Sequence, residues 1–205
     1  MKEITITRAM AALKINEDKI AKRRQFQLAY LIRESDRVDP IRAEGGSEGY
    51  IQRLGQSIND LIAERLAVKR AIAVANMRHE LTLPMNPAAP RRVTRSIHDW
   101  LVWRNQIAKP TRDHLIAMAK MIQQARFGTV RDRLQSFAQR RSVTEAEDAK
   151  KDIAVNIDEE KLNEEIELIT HILQELDGEL SQFNATHTVK VGETLDTIED
   201  LDRRQ

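Results

Sequence analysis

Apolar residues recur at intervals of three and four along much of this chain, which is the spacing of one face of a helix. The longest such stripe lies between about Glu48 and Met77, where it keeps a heptad spacing for more than three heptads and is broken only by Arg65. A helix of this length spans about 45 Å and needs a partner along its apolar stripe. The stripe consists of Ile51, Leu54, Ile58, Leu61, Arg65, Val68, Ile72 and Ala75.

A second stripe, near the C-terminus, has no polar interruption. Asn156, with Glu159 three residues later, forms an N-cap signature ahead of it. We therefore predict a long helix from this point to Phe183, with Ile169 and Leu173 buried in the middle of its seam. The stripe consists of Leu162, Ile166, Ile169, Leu173, Leu176, Leu180 and Phe183.

Two further helices are predicted from weaker patterns. Thr7 is a candidate N-cap for a helix that runs as far as Arg24, and Glu17 falls within its apolar stripe. Ser96 and Asp99 resemble a capping box that opens a later helix at residue 97. The stripe of the first of these helices consists of Met10, Leu13 and Ile20.

Pro110 lies inside the later helix and must disturb it. Proline has no backbone N–H and clashes with the preceding turn, so the helix is either kinked or split into 96–108 and 110–126. Gly128 is predicted to interrupt the helical pattern again.

Short segments beside the helices alternate between apolar and polar residues, which is the pattern of a β-strand. Prolines at 84, 87 and 90 predict a loop, so the strands on either side of it form a hairpin. Because the predicted strands all lie at helix ends, they can form one small sheet. The predicted strands are 26–31, 79–83, 91–94 and 186–191.

The combined pattern predicts a mainly α protein, namely an elongated antiparallel helical bundle or coiled coil with a small β-sheet at one end. We predict a single domain over residues 1–191, followed by an acidic tail at 192–205. The composition favours the same class, because charged residues make up 32% of the chain and aromatic residues only 4%. Long helices with narrow aliphatic seams have such a composition.

Cysteine is absent, which excludes disulfides and thiolate metal sites. The N-terminus has no apolar signal segment, and no run approaches the roughly 18 apolar residues of a membrane span. We therefore expect a protein made in a cytoplasm, with no membrane partner.

The charge is unevenly distributed along the chain. Residues 1–143 contain 27 Lys and Arg against 14 Asp and Glu, a balance of +13, whereas residues 144–205 contain 6 against 18, a balance of −12. The acidic part can pack along the basic part and neutralise it, or the basic part can bind nucleic acid or another polyanion. The residues that would carry the second function are Lys22, Arg23, Arg24, Arg91, Arg92, Arg95, Arg140 and Arg141.

Patterns of catalysis and ligand binding are missing from the sequence. The seven glycines match no phosphate-binding loop, and no nucleophile-elbow motif occurs. The five histidines (79, 98, 114, 171 and 187) are never three or four residues apart, so no helical turn offers two of them to a metal. We therefore predict no catalytic, cofactor-binding or metal-binding residues and expect a protein that is not an enzyme.

Three separated blocks carry a resemblance to a known group of proteins. They are Lys2–Ala9 with its continuation to Leu13-Lys14, Gln56–Ile62, and Ser181–Val189. With these blocks the chain resembles helical proteins of tailed bacteriophages, which are encoded among virion structural genes and mostly have no assigned function. More distantly, it resembles the septicolysin-like helical-hairpin family. The resemblance implies a bacteriophage structural or assembly protein, synthesised in the host cytoplasm and incorporated into the virion.

Some apolar residues are left over once the predicted helices cover one another. Tryptophan and methionine are enriched at protein interfaces, so we expect this set to contact a second copy of the chain or other virion proteins. The tail is expected to become ordered only on such a partner. The candidate interface residues are Trp100, Trp103, Met85, Leu195, Ile198 and Leu201.

Overall fold

The computed structural model describes residues 1–34, 36–85, 92–139, 154–192 and residue 195. Helices account for 74% of them, which confirms the mainly α class. The chain forms two compact units: unit 1 combines Met1–Glu80 with the chain from Glu179 onward, and unit 2 is Leu81–Gly178. Two compact units can belong to one domain, so the single domain over 1–191 stays a prediction.

Unit 1 is built on an antiparallel pair of helices, α1 (Ile6–Ala29) and α2 (Gly46–Arg78). Asn16 Nδ2 donates to Glu64 Oε2 at 3.2 Å, and Gln27 Nε2 donates to the Ile51 carbonyl at the same distance. Residue numbers therefore fall along α2 as they rise along α1. The predicted α2 stripe is confirmed, since its members Leu54, Ile58 and Val68 are buried.

The polar residues that interrupt the two predicted stripes contact each other. Arg65 of α2 forms an ion pair with Glu17 of α1, with 3.2 Å between Nη2 and Oε2. An interruption in one stripe is thus matched by an interruption of opposite charge in the other. Together with the Asn16–Glu64 hydrogen bond, this pair sets the register of α1 against α2.

The strand predicted at 26–31 is wrong, because α1 continues through these residues to Ala29. The alternation there comes from Phe26 and Leu28, which are exposed on a helix, while Gln27 faces α2. The helix also begins earlier than predicted. Thr5, not Thr7, is its N-cap, with Oγ1 accepting from the Arg8 N–H at 3.3 Å.

An antiparallel sheet of two strands completes unit 1. Strand β4 (Thr188–Val191) confirms the predicted strand at 186–191, and it pairs with β1 (Lys2–Thr5), which the sequence analysis missed. Ile4 lies opposite Val189, and both are buried. The Ile6 N–H extends the pairing by donating to the His187 carbonyl at 2.9 Å.

A second sheet of two strands confirms the predicted hairpin. It pairs β2 (Glu80–Pro84) with β3 (Arg92–Ser96), and the hydroxyls of Thr82 and Thr94 are 2.7 Å apart. The expectation of a single sheet was wrong, because β4 pairs with the unpredicted β1 instead of joining this hairpin.

The later predicted helix is a continuous helical run with a widened turn inside it. It comprises α3 (Ile97–Val102), a π-helical turn (Trp103–Ala108) and α4 (Lys109–Gln139). The Lys109 N–H donates five residues back, to the Arg104 carbonyl. Pro110 follows directly, so the wide turn accommodates the proline and the run is not split.

Two local signals in this helical run, the capping box at its start and the glycine inside α4, had opposite outcomes. The capping box is confirmed, since Ser96 Oγ accepts from the Asp99 N–H at 3.1 Å and donates to the Asp99 carboxylate at 2.8 Å. The break at Gly128 is wrong, because α4 continues through it. One glycine costs a helix only about 1 kcal/mol.

Helix α5 (Glu159–Thr186) runs antiparallel to α3 and α4 within unit 2. Arg104 Nη2 forms an ion pair with Asp177 at 2.8 Å, and Arg126 forms another with Glu159. Leu173 is buried as predicted, whereas Ile169 is only half-buried. The residue before the helix provides the cap: Asp158 Oδ1 accepts from the N–H groups of residues 160 and 161, a role that the sequence assigned to Asn156.

Candidate interaction surfaces

Trp100, predicted at an interface, lies in the core of its own unit. Its side chain is 0% exposed, and its indole N–H donates to the Leu81 carbonyl at 3.0 Å. Trp103 packs edge-on against it, with 5.5 Å between ring centroids, and is half-buried. The assignment of Trp100 to an interface is therefore wrong. The Ser96–Asp99 capping box places Trp100 on the first turn of α3, under the hairpin.

Leu195, the first apolar residue of the tail, is also buried by its own chain. It is 1% exposed and lines a small cavity with Ala12, Ile15 and Leu61 of the α1–α2 pair. The expectation that this residue waits for a partner is wrong, because the pair offers an apolar seam close to the end of β4. Met85 is half-buried at the end of β2. Ile198 and Leu201 lie outside the described residues.

The candidate polyanion-binding residues do not form one surface. Lys22 and Arg24 are exposed on α1, while Arg23 between them is half-buried, with Nη1 enclosed. Arg92 is exposed on β3, but the Arg95 guanidinium lies 5.2 Å from the centroid of the Trp100 ring in a cation–π contact. Three further candidates, Arg91, Arg140 and Arg141, lie outside the described residues.

The outer face of α2, defined here as Ile62, Ala63, Leu66, Ala67, Ala73, Val74 and Met77, is an exposed apolar surface. Its large members are 42%, 47%, 38% and 55% exposed, at Ile62, Leu66, Val74 and Met77 respectively. Only the other side of the helix packs against α1. The recurrence of apolar residues at 62, 66, 74 and 77, interrupted by Arg70, is the signal in the sequence that indicates this second stripe.

Unit 2 contains a second apolar surface, a groove of about 300 Å³ between α4 and the chain that precedes α5. Methionines make such grooves adaptable to different apolar partners. Phe127, 73% exposed on the next turn of α4, adds to the apolar surface of this unit. The groove is lined by Met118, Met121, Ile122, Ala125, Ala154, Val155, Asn156 and Ile157.

A cluster of aromatic rings joins the end of α2 to the end of α5 in unit 1. The His187 ring stacks on Phe183, with 4.2 Å between centroids, and meets His79 edge-on at 4.0 Å. Burial, and secondly the neighbouring His79, lowers the pKa of His187. Its Nδ1 is enclosed and has no hydrogen-bond partner among the described residues.

The N-terminus of α2 is occupied by a side chain of its own loop. Asp39 Oδ2 accepts from the Ser47 N–H at 2.7 Å, and Oδ1 accepts from the Ser47 hydroxyl at 2.7 Å. These bonds lower the pKa of Asp39, the backbone bond from Ser47 most of all. The turn requires positive φ angles of 94° and 80° at Gly45 and Gly46. This helix end is therefore satisfied internally.

Within the described ranges, no three His, Asp or Glu side chains are grouped as metal ligands would be. Among the described helices, none combines the length and the apolar character that a membrane crossing requires. No protein family, curated protein or solved structure shows a significant match to this chain.

Proposed function

We propose that this chain is a non-enzymatic structural or assembly protein of a bacteriophage particle, which oligomerises or docks on other virion proteins through apolar helix faces. It would be made in the host cytoplasm and incorporated into the virion. The phage context rests on the three sequence blocks Lys2–Lys14, Gln56–Ile62 and Ser181–Val189.

The outer face of α2 is the observation that carries the assembly part of the proposal. Monomeric soluble proteins rarely leave large contiguous apolar surfaces open to water, and such surfaces usually mark an interaction site. Here seven apolar residues, with Arg70 among them, follow one side of a 33-residue helix for about four turns. A helix with apolar residues on two sides is suited to packing between two partners, of which α1 is one.

Mass spectrometry of purified phage particles tests the proposal directly. The expected result is that peptides of this chain are present at a fixed ratio to the other virion proteins and resist washing in high salt. A chain that is abundant in infected cells but missing from washed particles would contradict the virion assignment.

The second candidate function is binding of nucleic acid. The exposed cations Lys22, Arg24 and Arg92 favour it, since phosphate contacts are made by such side chains. Binding proteins for single strands also present aromatic rings to the bases, but Trp100 is buried in its own unit. Salt-dependent retention of the protein on immobilised DNA tests this candidate.

A further inference from the structure

We propose that the seam between α1 and α2 binds a structural water molecule, held by Asn16 and Glu64 at the point where Leu195 packs on the helix pair. The water donates hydrogen bonds to Asn16 Oδ1 and to the Glu64 carboxylate. The site lies inside unit 1, so the inference is independent of the proposed function.

Asn16 is the residue that requires such a partner. It is 3% exposed, and its Oδ1 has no hydrogen-bond partner among the described residues. Buried polar atoms of folded proteins are nearly always hydrogen-bonded, either to the protein or to ordered water. The Asn16 oxygen therefore needs a donor that the described side chains do not supply.

The other contact of the Asn16 amide fixes its orientation. Nδ2 donates to Glu64 Oε2 at 3.2 Å, from α1 to α2. An ionised carboxylate only accepts hydrogen bonds, so turning the amide over would set two acceptor oxygens against each other. Oδ1 is therefore the atom that remains to bind the water.

A cavity of suitable size lies at this place in the seam. Its volume is about 20 Å³, and a buried water needs at least about 10–15 Å³. The cavity thus accommodates a water molecule and is too small for an organic ligand. It is lined by Ala12, Ile15, Asn16, Lys19, Leu61, Glu64 and Leu195.

The polar part of this lining favours water over other small ligands. A buried water binds two to four polar partners, and Asn16, Glu64 and Lys19 all line the cavity. The ammonium group of Lys19 disfavours a metal cation, and the carboxylate of Glu64 disfavours an anion. A water molecule can donate to the two oxygens and accept from the ammonium group.

The water site belongs to one alignment of the helix pair. Asn16 is part of α1 and Glu64 part of α2, so a shift of one helix along the other separates them and removes the site. Leu195, which is 1% exposed, forms one wall of the cavity and limits exchange of the water with solvent. The bound water therefore stabilises this register together with the Asn16–Glu64 hydrogen bond.

Two measurements on the full chain in solution test the site. Magnetic relaxation dispersion of water ¹⁷O counts the waters that stay bound for longer than the tumbling time of the protein. Asn16→Leu should reduce this count by one relative to the parent, because the leucine removes Oδ1 and leaves the cavity mostly apolar. Asn59→Leu, the same substitution at an exposed position of α2, is the matched control and should leave the count unchanged.

The second measurement needs no change at Asn16. In the parent, the side-chain amide protons of Asn16 should show a nuclear Overhauser effect to a long-lived water, and Lys19→Met should retain it. That variant removes the nearby ammonium protons, which exchange with solvent and could relay the signal. The proposal is overturned by a parent without this effect, by its loss in Lys19→Met, or by a folded Asn16→Leu protein with the parent's count of bound waters.

Discussion

The ring of His187 is placed so that its protonation must disturb unit 1. The backbone carbonyl of His187 accepts from the Ile6 N–H, and the backbone N–H of His187 donates to the Phe183 carbonyl at 2.8 Å. The residue therefore links the end of α5 to the start of α1 and leads into β4. Because Nδ1 is enclosed without a partner, an imidazolium would place a charged N–H where nothing accepts it.

The lowered pKa of His187 predicts the direction of a pH effect on stability. The unfolded chain binds this proton at the ordinary pKa of about 6.5, which is above the pKa of the folded chain, so protonation favours unfolding. The contribution of neutral His187 to stability is complete above about pH 6.5. It is lost as the pH falls from there towards the lowered pKa.

We expect His187→Phe to reduce the fall in Tm between about pH 7.5 and 5.5, an interval above the titration of most carboxylates. Phenylalanine retains the stacked ring but cannot take up a proton. Each 1 kcal/mol of lost stability should appear as about 2–4 °C in thermal unfolding followed by circular dichroism. His98→Gln, at an exposed position of α3, is the control and should behave as the parent does. Equal slopes for parent and His187→Phe would contradict the prediction.

At the scale of elements, the long stripes were predicted well because burial itself imposes their period. The inner stripe of α2 and the stripe of α5 both lead to buried residues, among them Val68 and Leu176. Short alternating segments were less reliable. Residues 26–31 alternate without a neighbouring strand, and the chain stays helical as far as Ala29, whereas Lys2–Thr5 forms a strand because β4 lies beside it. Strand formation depends on a distant partner, which local pattern does not reveal.

The helix pair α1–α2 contains a buried polar residue whose role the apolar stripe of a single helix does not show. Asn16 is 3% exposed in the seam, and its Oδ1 has no hydrogen-bond partner. A buried polar residue of this kind lowers stability but favours one register, because other alignments leave both of its polar atoms unpaired. The sequence shows an asparagine near Glu17, but only the fold shows that it faces Glu64.

Leu195, which follows β4, is part of the core of unit 1, and one substitution tests this. Leu195→Ala should lower the free energy of unfolding by about 2–5 kcal/mol, because it removes a fully buried leucine beside an existing cavity. Denaturant unfolding measures the loss. Leu31→Ala, where the side chain is 60% exposed, is the control and should change stability by less than about 0.5 kcal/mol. A loss at Leu195 as small as the control's would show that this side chain does not stabilise the fold.

At the scale of the molecule, the sequence identified apolar residues but not which of them the chain covers itself. Trp100 and Leu195 were both expected at an interface, and both are buried within their own units. An exposed apolar surface that was not predicted is the outer face of α2, whose residues are individually ordinary. Whether the chain buries an apolar residue itself depends on which sides of its helices pack together, and tertiary packing decides this.

The charge asymmetry of the chain is partly neutralised within the fold. The acidic α5 forms ion pairs with the basic run of α3 and α4 through Arg104–Asp177 and Arg126–Glu159. These two ion pairs support the interpretation that the acidic part of the chain packs along the basic part, and they involve none of the candidate polyanion-binding residues.

A structural protein is expected to bind DNA weakly and a nucleic-acid-binding protein strongly, so chromatography on immobilised DNA distinguishes the two candidate functions. If the cations are mostly neutralised internally, the protein should elute below about 0.1 M salt, and Lys22→Glu/Arg24→Glu should elute at almost the same point. A protein that neutralises several phosphates instead shows a steep dependence of affinity on salt, with a slope of about −0.9 per phosphate on duplex DNA. A duplicate column bearing heparin controls for general polyanion exchange. Retention of the parent well above physiological salt, with a large loss in the double variant, would refute neutralisation and favour nucleic-acid binding through α1.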